Sequence, residues 1–244
     1  QLMEPFIWTF GDEQSVLFST LLLLLLFADM PFIDQAVPYR LIRTTRDKWL
    51  AGQILYVIVT VILYNFFLLA IEALIAMPWS YIGNVWSETS ASFAYGAGKD
   101  GAVAVSVKTM EISTPYECAA FVFLLMLLYS LLIAALMLLL NLAGGKAAGV
   151  LGVLLFNLYG YLLNPEWIRR VFDIPQGLIY RANVLCGWLS PLSHATFSMH
   201  NFGYDYLPGI QVSVVLFFCL ICILIIAARI KMKRYNFTFV QVEE

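Results

Sequence analysis

Five long apolar runs divide the chain, at about residues 16–33, 51–77, 118–142, 147–163 and 210–228. A helix needs about 20 apolar residues to cross a hydrocarbon layer, so each run predicts a transmembrane span. The first holds six consecutive leucines at 21–26, and the second closes on Pro78-Trp79, an aromatic boundary signal. The third and fourth are separated only by Ala143-Gly144-Gly145-Lys146. The pattern predicts an all-α integral membrane protein, a polytopic helical bundle in which residues 1–244 form one transmembrane domain with five visible spans.

Three connections break the apolar pattern. In residues 35–50, Leu41, Ile42, Trp49 and Leu50 are interleaved with Arg40, Arg43, Arg46 and Lys48. After Pro38 this reads as a short amphipathic basic helix, either an anchor on anionic lipid or a docking helix for a partner. Residues 78–117 carry SASFAY and AVAVSV on either side of GAGKDG, which predicts an external hairpin or a mobile loop. Residues 164–209 hold an interrupted apolar stretch over 178–202, broken by Gly187 and by Ser190-Pro191. That segment predicts re-entrant or interfacial helices, because irregular backbone at membrane depth must be satisfied by protein or by a water-filled cavity.

Composition agrees with a membrane class: 61% of residues are hydrophobic, 12% are charged and the mean hydropathy is +0.83. The net charge of −2 gives no basic field for nucleic acid. The placement of the 14 basic residues says more. Nine fall at residues 40–48, at Lys146 and in the tail Arg229, Lys231, Lys233 and Arg234; five fall at Lys99, Lys108, Arg169, Arg170 and Arg181. Cytoplasmic connections carry the excess of Lys and Arg, so 35–50 and the C-terminus are expected in the cytoplasm, with 78–117 and 164–209 outside. An external start also predicts a preceding span whose outer end is Phe6-Ile7-Trp8, giving six in the parent protein.

Candidate chemistry is sparse. Gly145-Lys146 is followed by Ala147 and has Leu140 where a phosphate-binding loop starts with Gly. Gly96, Gly98 and Gly101 match G-x-G-x-x-G by spacing only, outside the strand–turn–helix unit that gives the motif meaning. Cys219 and Cys222 sit among Phe and Ile side chains, where thiols pack as small hydrophobes, and no second ligand pair accompanies them. His194 and His200, six apart, lack metal-ligand spacing and are read as structural or interfacial. No catalytic residue, bound cofactor or metal is expected.

Ionisable groups near the membrane, Asp29, Asp34 and Glu72, are functional candidates by cost of burial. The aspartates are expected to pair with Arg40 or Arg43, or to cap a broken helix, and Glu72 to face an aqueous vestibule. Gly145, Ala148, Gly149 and Gly152 predict close helix approach, within the bundle or at a dimer contact.

The order of these parts resembles the transmembrane subunit of type-2 ABC exporters. The features that carry the resemblance are an external turn, a span descending to YRLIRTTRDKWLAGQ, a rising span, a helical pair, the broken segment with WLSPLSHATFSMH, and a last span followed by ARIKMKR. Residues 39–53 are most similar to permeases of Gram-positive bacterial exporters for amphipathic peptides, including phenol-soluble modulin exporters. The resemblance implies that Arg40, Arg43, Arg46, Lys48 and Trp49 dock a cytoplasmic ATP-binding-cassette subunit, which would hold the ATP and Mg. It also implies a second permease subunit, as homo- or heterodimer, and an outer gate at Trp188, Pro191 and His194. Phe27, Tyr56, Tyr64, Phe67 and Glu72 are the candidate path for an amphipathic peptide or hydrophobic substrate, with membrane lipid around them. The competing readings are an ATP-independent immunity or sequestering protein and an integral membrane enzyme.

Overall fold

A computed structural model describes residues 1–32, 37, 43–95, 105–203 and 205–235. In chain order the helices are α1 (Glu4–Phe10), α2 (Glu13–Phe27), α3 (Arg46–Ala76), α4 (Glu88–Tyr95), α5 (Val107–Ile112), α6 (Pro115–Gly144), α7 (Lys146–Leu162), α8 (Pro165–Val171), α9 (Ile179–Leu189), α10 (Pro191–Ala195) and α11 (Ile210–Lys233). No strand occurs among the described residues. By length and composition, α3, α6 and α11 can each cross a membrane, and the number rises to five if the bent pairs α1–α2 and α7–α8 each count as one span.

Helix α6 is the axis of the bundle. It is apolar on every side, the pattern of a helix enclosed by others, and 61% of its most apolar stretch is buried against 17% for α3 and 11% for α11. Helices α1, α2, α3, α7, α10 and α11 all pack on it. The main core joins Val16, Leu23 and Phe27 of α2, Val57 and Val61 of α3, Tyr129, Ile133 and Met137 of α6, Val153 of α7 and Phe217 of α11. The outer faces of α3 and α11 remain apolar and uncovered, with Leu63, Phe66, Leu74, Phe218 and Ile223 exposed.

The long helices alternate in direction, which gives the molecule two ends. One, the basic end, gathers the end of α2, the start of α3, the α6–α7 turn and the end of α11. That turn needs one residue, Gly145, in the left-handed region (φ 83°), where a Cβ is disfavoured. Helix α7 then lies flush on α6, because a Cβ on Gly149 would stand 1.8 Å from Asn141 Oδ1. The small residues expected to admit a neighbouring helix therefore admit α6 of the same chain.

The other, the cap end, carries the short helices. Asp12 accepts from Gln14 N (3.0 Å) and Ser15 N (3.4 Å), starting α2 at 85° to α1. Phe6, Ile7 and Trp8, expected at the end of a preceding span, thus lie in a separate seven-residue helix. SASFAY, expected as a hairpin arm or a mobile loop, is helical within α4: Ser87 Oγ caps Ser90 N at 3.2 Å, and Ala91 and Ala94 favour helix. Gly96, Gly98, Lys99 and Gly101 lie outside the described residues. Of the two breaks expected in the 178–202 stretch, Ser190-Pro191 does end a helix, whereas Gly187 lies inside α9; a further break follows Ala195.

Candidate functional site

The cap end encloses a polar cluster built from the α9–α10 break and the first turn of α11. Pro191 has no N–H to continue α9, and Ser190 accepts from Ser193 N (3.2 Å) while donating to Gly160 O on α7 (2.9 Å). Helix α9 therefore stops at Leu189, and α10 starts afresh at Pro191 and ends after five residues. Thr196 Oγ1 donates back to Leu192 O (2.9 Å), and a 3-10 turn over Phe197–Met199 swings His200 beside His194.

Both imidazoles meet one hydroxyl. Ser213 Oγ lies 2.7 Å from His194 Nδ1 and 2.8 Å from His200 Nε2. Their other nitrogens face backbone carbonyls, which only accept. His194 Nε2 donates to Trp188 O (3.1 Å), and His200 Nδ1 donates to Thr196 O (2.9 Å) and Phe197 O (3.2 Å). All three side chains are buried. Burial pushes the His194 pKa below the usual histidine value and that of His200 down to about 4, against the opposing pull of the accepting carbonyls. The enclosed hydroxyl is closed to a substrate in this conformation, so the cluster ties the cap to α11.

A cleft of about 560 Å³ opens beside it, lined by Glu13, Lys108, Cys186, Ser193, Asp205 and Tyr206 among others. Lys108 donates to Asp205 Oδ2 (2.5 Å) and to His200 O (2.9 Å), and Glu13 Oε1 accepts from Ser193 Oγ (2.8 Å). Burial holds the Cys186 thiol up at about 11, so it stays protonated and unreactive at neutral pH. A second, wider cleft of about 940 Å³ is lined by Glu4, Trp8, Trp79, Tyr81, Trp86 and Phe93. Deeper in the bundle, Thr20 of α2 and Tyr129 of α6 both reach Asn157 Oδ1 of α7 at 3.0 Å, joining three helices through one amide.

Of the expected outer-gate residues, Trp188 and His194 meet, with rings 6.5 Å apart and nearly perpendicular, and Pro191 sets the break between them. The sequence marks both histidines as structural or interfacial and does not single out Ser213 or Glu13. The one available signal was a hydroxyl in the first turn of an otherwise apolar helix.

The expected docking residues spread over distinct roles. Arg40 lies outside the described residues. Arg43 and Lys48 are exposed, without an ion pair among the described residues. Arg46 donates to Lys233 O (2.6 Å) at the end of α11, and Trp49 packs with Leu50, Leu138, Leu142 and Met232. Asp29 pairs with Lys146 (2.6 Å) and not with Arg43, since the α6–α7 turn presents that lysine to the end of α2; Asp34 lies outside the described residues.

The expected substrate-path residues do not converge. Phe27 is in the core, Tyr64 OH donates to Ser19 O (2.8 Å), Tyr56 rests edge-on against Phe32 (5.3 Å), Phe67 is exposed and Glu72 is half-buried. None of them lines either cleft.

The fold and its cap define an all-helical bundle with several helices long and apolar enough for a multi-pass membrane protein. Compared with known proteins, the chain matches no family model, and no curated protein or solved structure shows significant similarity to it.

Proposed function

We propose that the chain is the transmembrane subunit of a type-2 ABC exporter in the cell membrane. It moves an amphipathic peptide or other hydrophobic substrate outward, driven by a separate ATPase docked at residues 40–50. The observation that carries the reading is a pair of exposed cations, Arg43 just before α3 and Lys48 in its first turn, at one end of a 31-residue helix running to the cap end. A push at Arg43 and Lys48 is thereby delivered along a rigid rod to the opposite end, where α8, α9 and α10 form the broken connection expected of an outer gate.

In this reading the basic end and the C-terminus are cytoplasmic, by the excess of Lys and Arg. The apolar faces of α3 and α11 meet lipid and a second permease subunit. ATP binding does work only if the closed ATPase pair favours one packing of the bundle over the other.

The test places a photo-crosslinking residue at Arg43 or Lys48 in native membranes and identifies the captured protein. Capture of an ATP-binding-cassette subunit, lost in the Arg43→Glu/Lys48→Glu variant together with coupled ATP hydrolysis, is expected. A variant that retains full coupling overturns the docking role. Arg46 is left intact because its bonds hold α11.

A further inference from the structure

We propose that His194, Ser213 and His200 form a binding site for a single proton, shared between the two imidazoles through the serine hydroxyl. The inference goes beyond the transport reading and stands without it.

It follows from counting hydrogens. The carbonyls of Trp188, Thr196 and Phe197 fix an N–H on the far side of each ring. In two neutral imidazoles, His194 Nδ1 and His200 Nε2 are then both acceptors. They converge on one Oγ at 2.7 and 2.8 Å, and that hydroxyl has one hydrogen to give. One contact sets two lone pairs against each other, in a place where a missing bond is costly.

One added proton completes the chain. His194 Nδ1–H donates to Oγ, Oγ–H donates to His200 Nε2, and every polar atom from Trp188 O to Thr196 O is satisfied. Reversing the hydroxyl moves the charge to His200 and leaves the count unchanged. A second proton would place two cations either side of one oxygen.

The carbonyls on the far side of each ring favour one positive charge, while Lys108 and the charge on the first ring oppose a second. Lys108 donates to His200 O and is countered by Asp205. Glu13, with Asp12 beside it, is bound to Ser193, one residue before His194. Glu111 on α5 accepts from Tyr95, and Arg181 on α9 lies on Tyr180. Cys186 of α9 lines the neighbouring cleft, and Cys118 and Tyr129 of α6 pack with Phe197 and Phe217 respectively. Burial lowers the affinity of both rings for a proton, and the bond missing between Ser213 Oγ and one ring nitrogen works against that loss at a single proton.

The full chain, histidine-labelled with ¹⁵N in lipid nanodiscs, is titrated from about pH 7.5 to 4.5 across the histidine range. Both rings are expected to change together along one step that takes up one proton per chain. In His200→Gln the side-chain amide supplies the missing donor, so the proton affinity of His194 falls by roughly tenfold. Ser213→Thr keeps the hydroxyl and the shared step. Two independent steps, uptake of two protons, rings that stay neutral throughout, or a His200→Gln titration identical to the wild type each overturn the proposal. If His200→Gln does not fold, the wild-type step still decides it.

Discussion

At the cap end, polar side chains are enclosed and held by several bonds at once: Glu4, 6% exposed, accepts from Ser87 N at 2.6 Å, Ser87 Oγ at 2.5 Å and Ser90 Oγ at 2.9 Å. At the basic end, Asp29 and Lys146 meet at a similar distance with side chains 72% and 68% exposed, and Asp47–Arg229 is open to solvent as well. A bond inside the protein leaves an orphaned donor when broken, whereas an exposed ion pair exchanges its partner for water. The cap end is therefore held by directional bonds. At the basic end the exposed ion pairs add little, and what holds it is the packing beneath them, where Leu50, Leu138, Leu142, Ala228 and Met232 close together, with the bonds of Arg46 and Asn141 to backbone carbonyls.

The largest effect is expected where the basic end is packed most tightly. Gly149→Val places a Cβ within 1.8 Å of Asn141 Oδ1, whose amide nitrogen already donates to Met30 O. Either the Asn141 amide turns away and gives up its bond to Met30 O, or α7 lifts from α6 and opens the core around Val153 and Met137. The expected loss is about 3 kcal/mol or failure to assemble, read by thermal unfolding in detergent. A stable Gly149→Val protein would mean that α7 can move away from α6 at little cost.

Next in size is Glu4→Ala at the cap end. It leaves Ser87 N–H and the Ser87 and Ser90 hydroxyls without their acceptor, and so loosens the Ser90 Oγ that accepts from Trp8 Nε1 (3.0 Å). About 2 kcal/mol of stability should be lost. Limited proteolysis should cut first between α3 and α4, because the Glu4 bonds tie that connection to α1. Unchanged protease resistance there would remove the distinction between the two ends.

These contrasts explain what could be read in advance. The long apolar helices were legible because apolar length alone specifies them: the expected 51–77, 118–142 and 210–228 correspond to Arg46–Ala76, Pro115–Gly144 and Ile210–Lys233, whereas 16–33 and 147–163 reach spanning length only as parts of bent helix pairs. Their ends were not, for a local reason. Helix α3 takes in Arg46, Asp47 and Lys48 because Thr45 caps Lys48 N, and α11 continues through Lys231 and Lys233 because cations suit a helix C-terminus. The break at Ser190-Pro191 was visible as proline chemistry. The meeting of His194, His200 and Ser213 was not, since it depends on how far the chain turns after Thr196 and on which face of α11 is presented. In the same way, Arg46 looked like a free docking group in sequence because its partners, the carbonyls of Met232 and Lys233, are 186 and 187 residues away.

The smallest effect should come from the basic end's visible charges. A double-mutant cycle with Asp29→Ala and Lys146→Met is expected to give a coupling below about 0.5 kcal/mol, falling further with added salt. Each side chain gives up freedom to hold the pair, and water takes the place of either partner at almost no cost. The 2.6 Å contact is thus a poor guide to its strength. A coupling above about 1.5 kcal/mol would show that the carboxylate and ammonium are shielded from water in the assembled protein. The basic end would then be held by enclosed charge, as the cap end is held by enclosed hydrogen bonds, and the difference between the two ends would be one of chemistry alone.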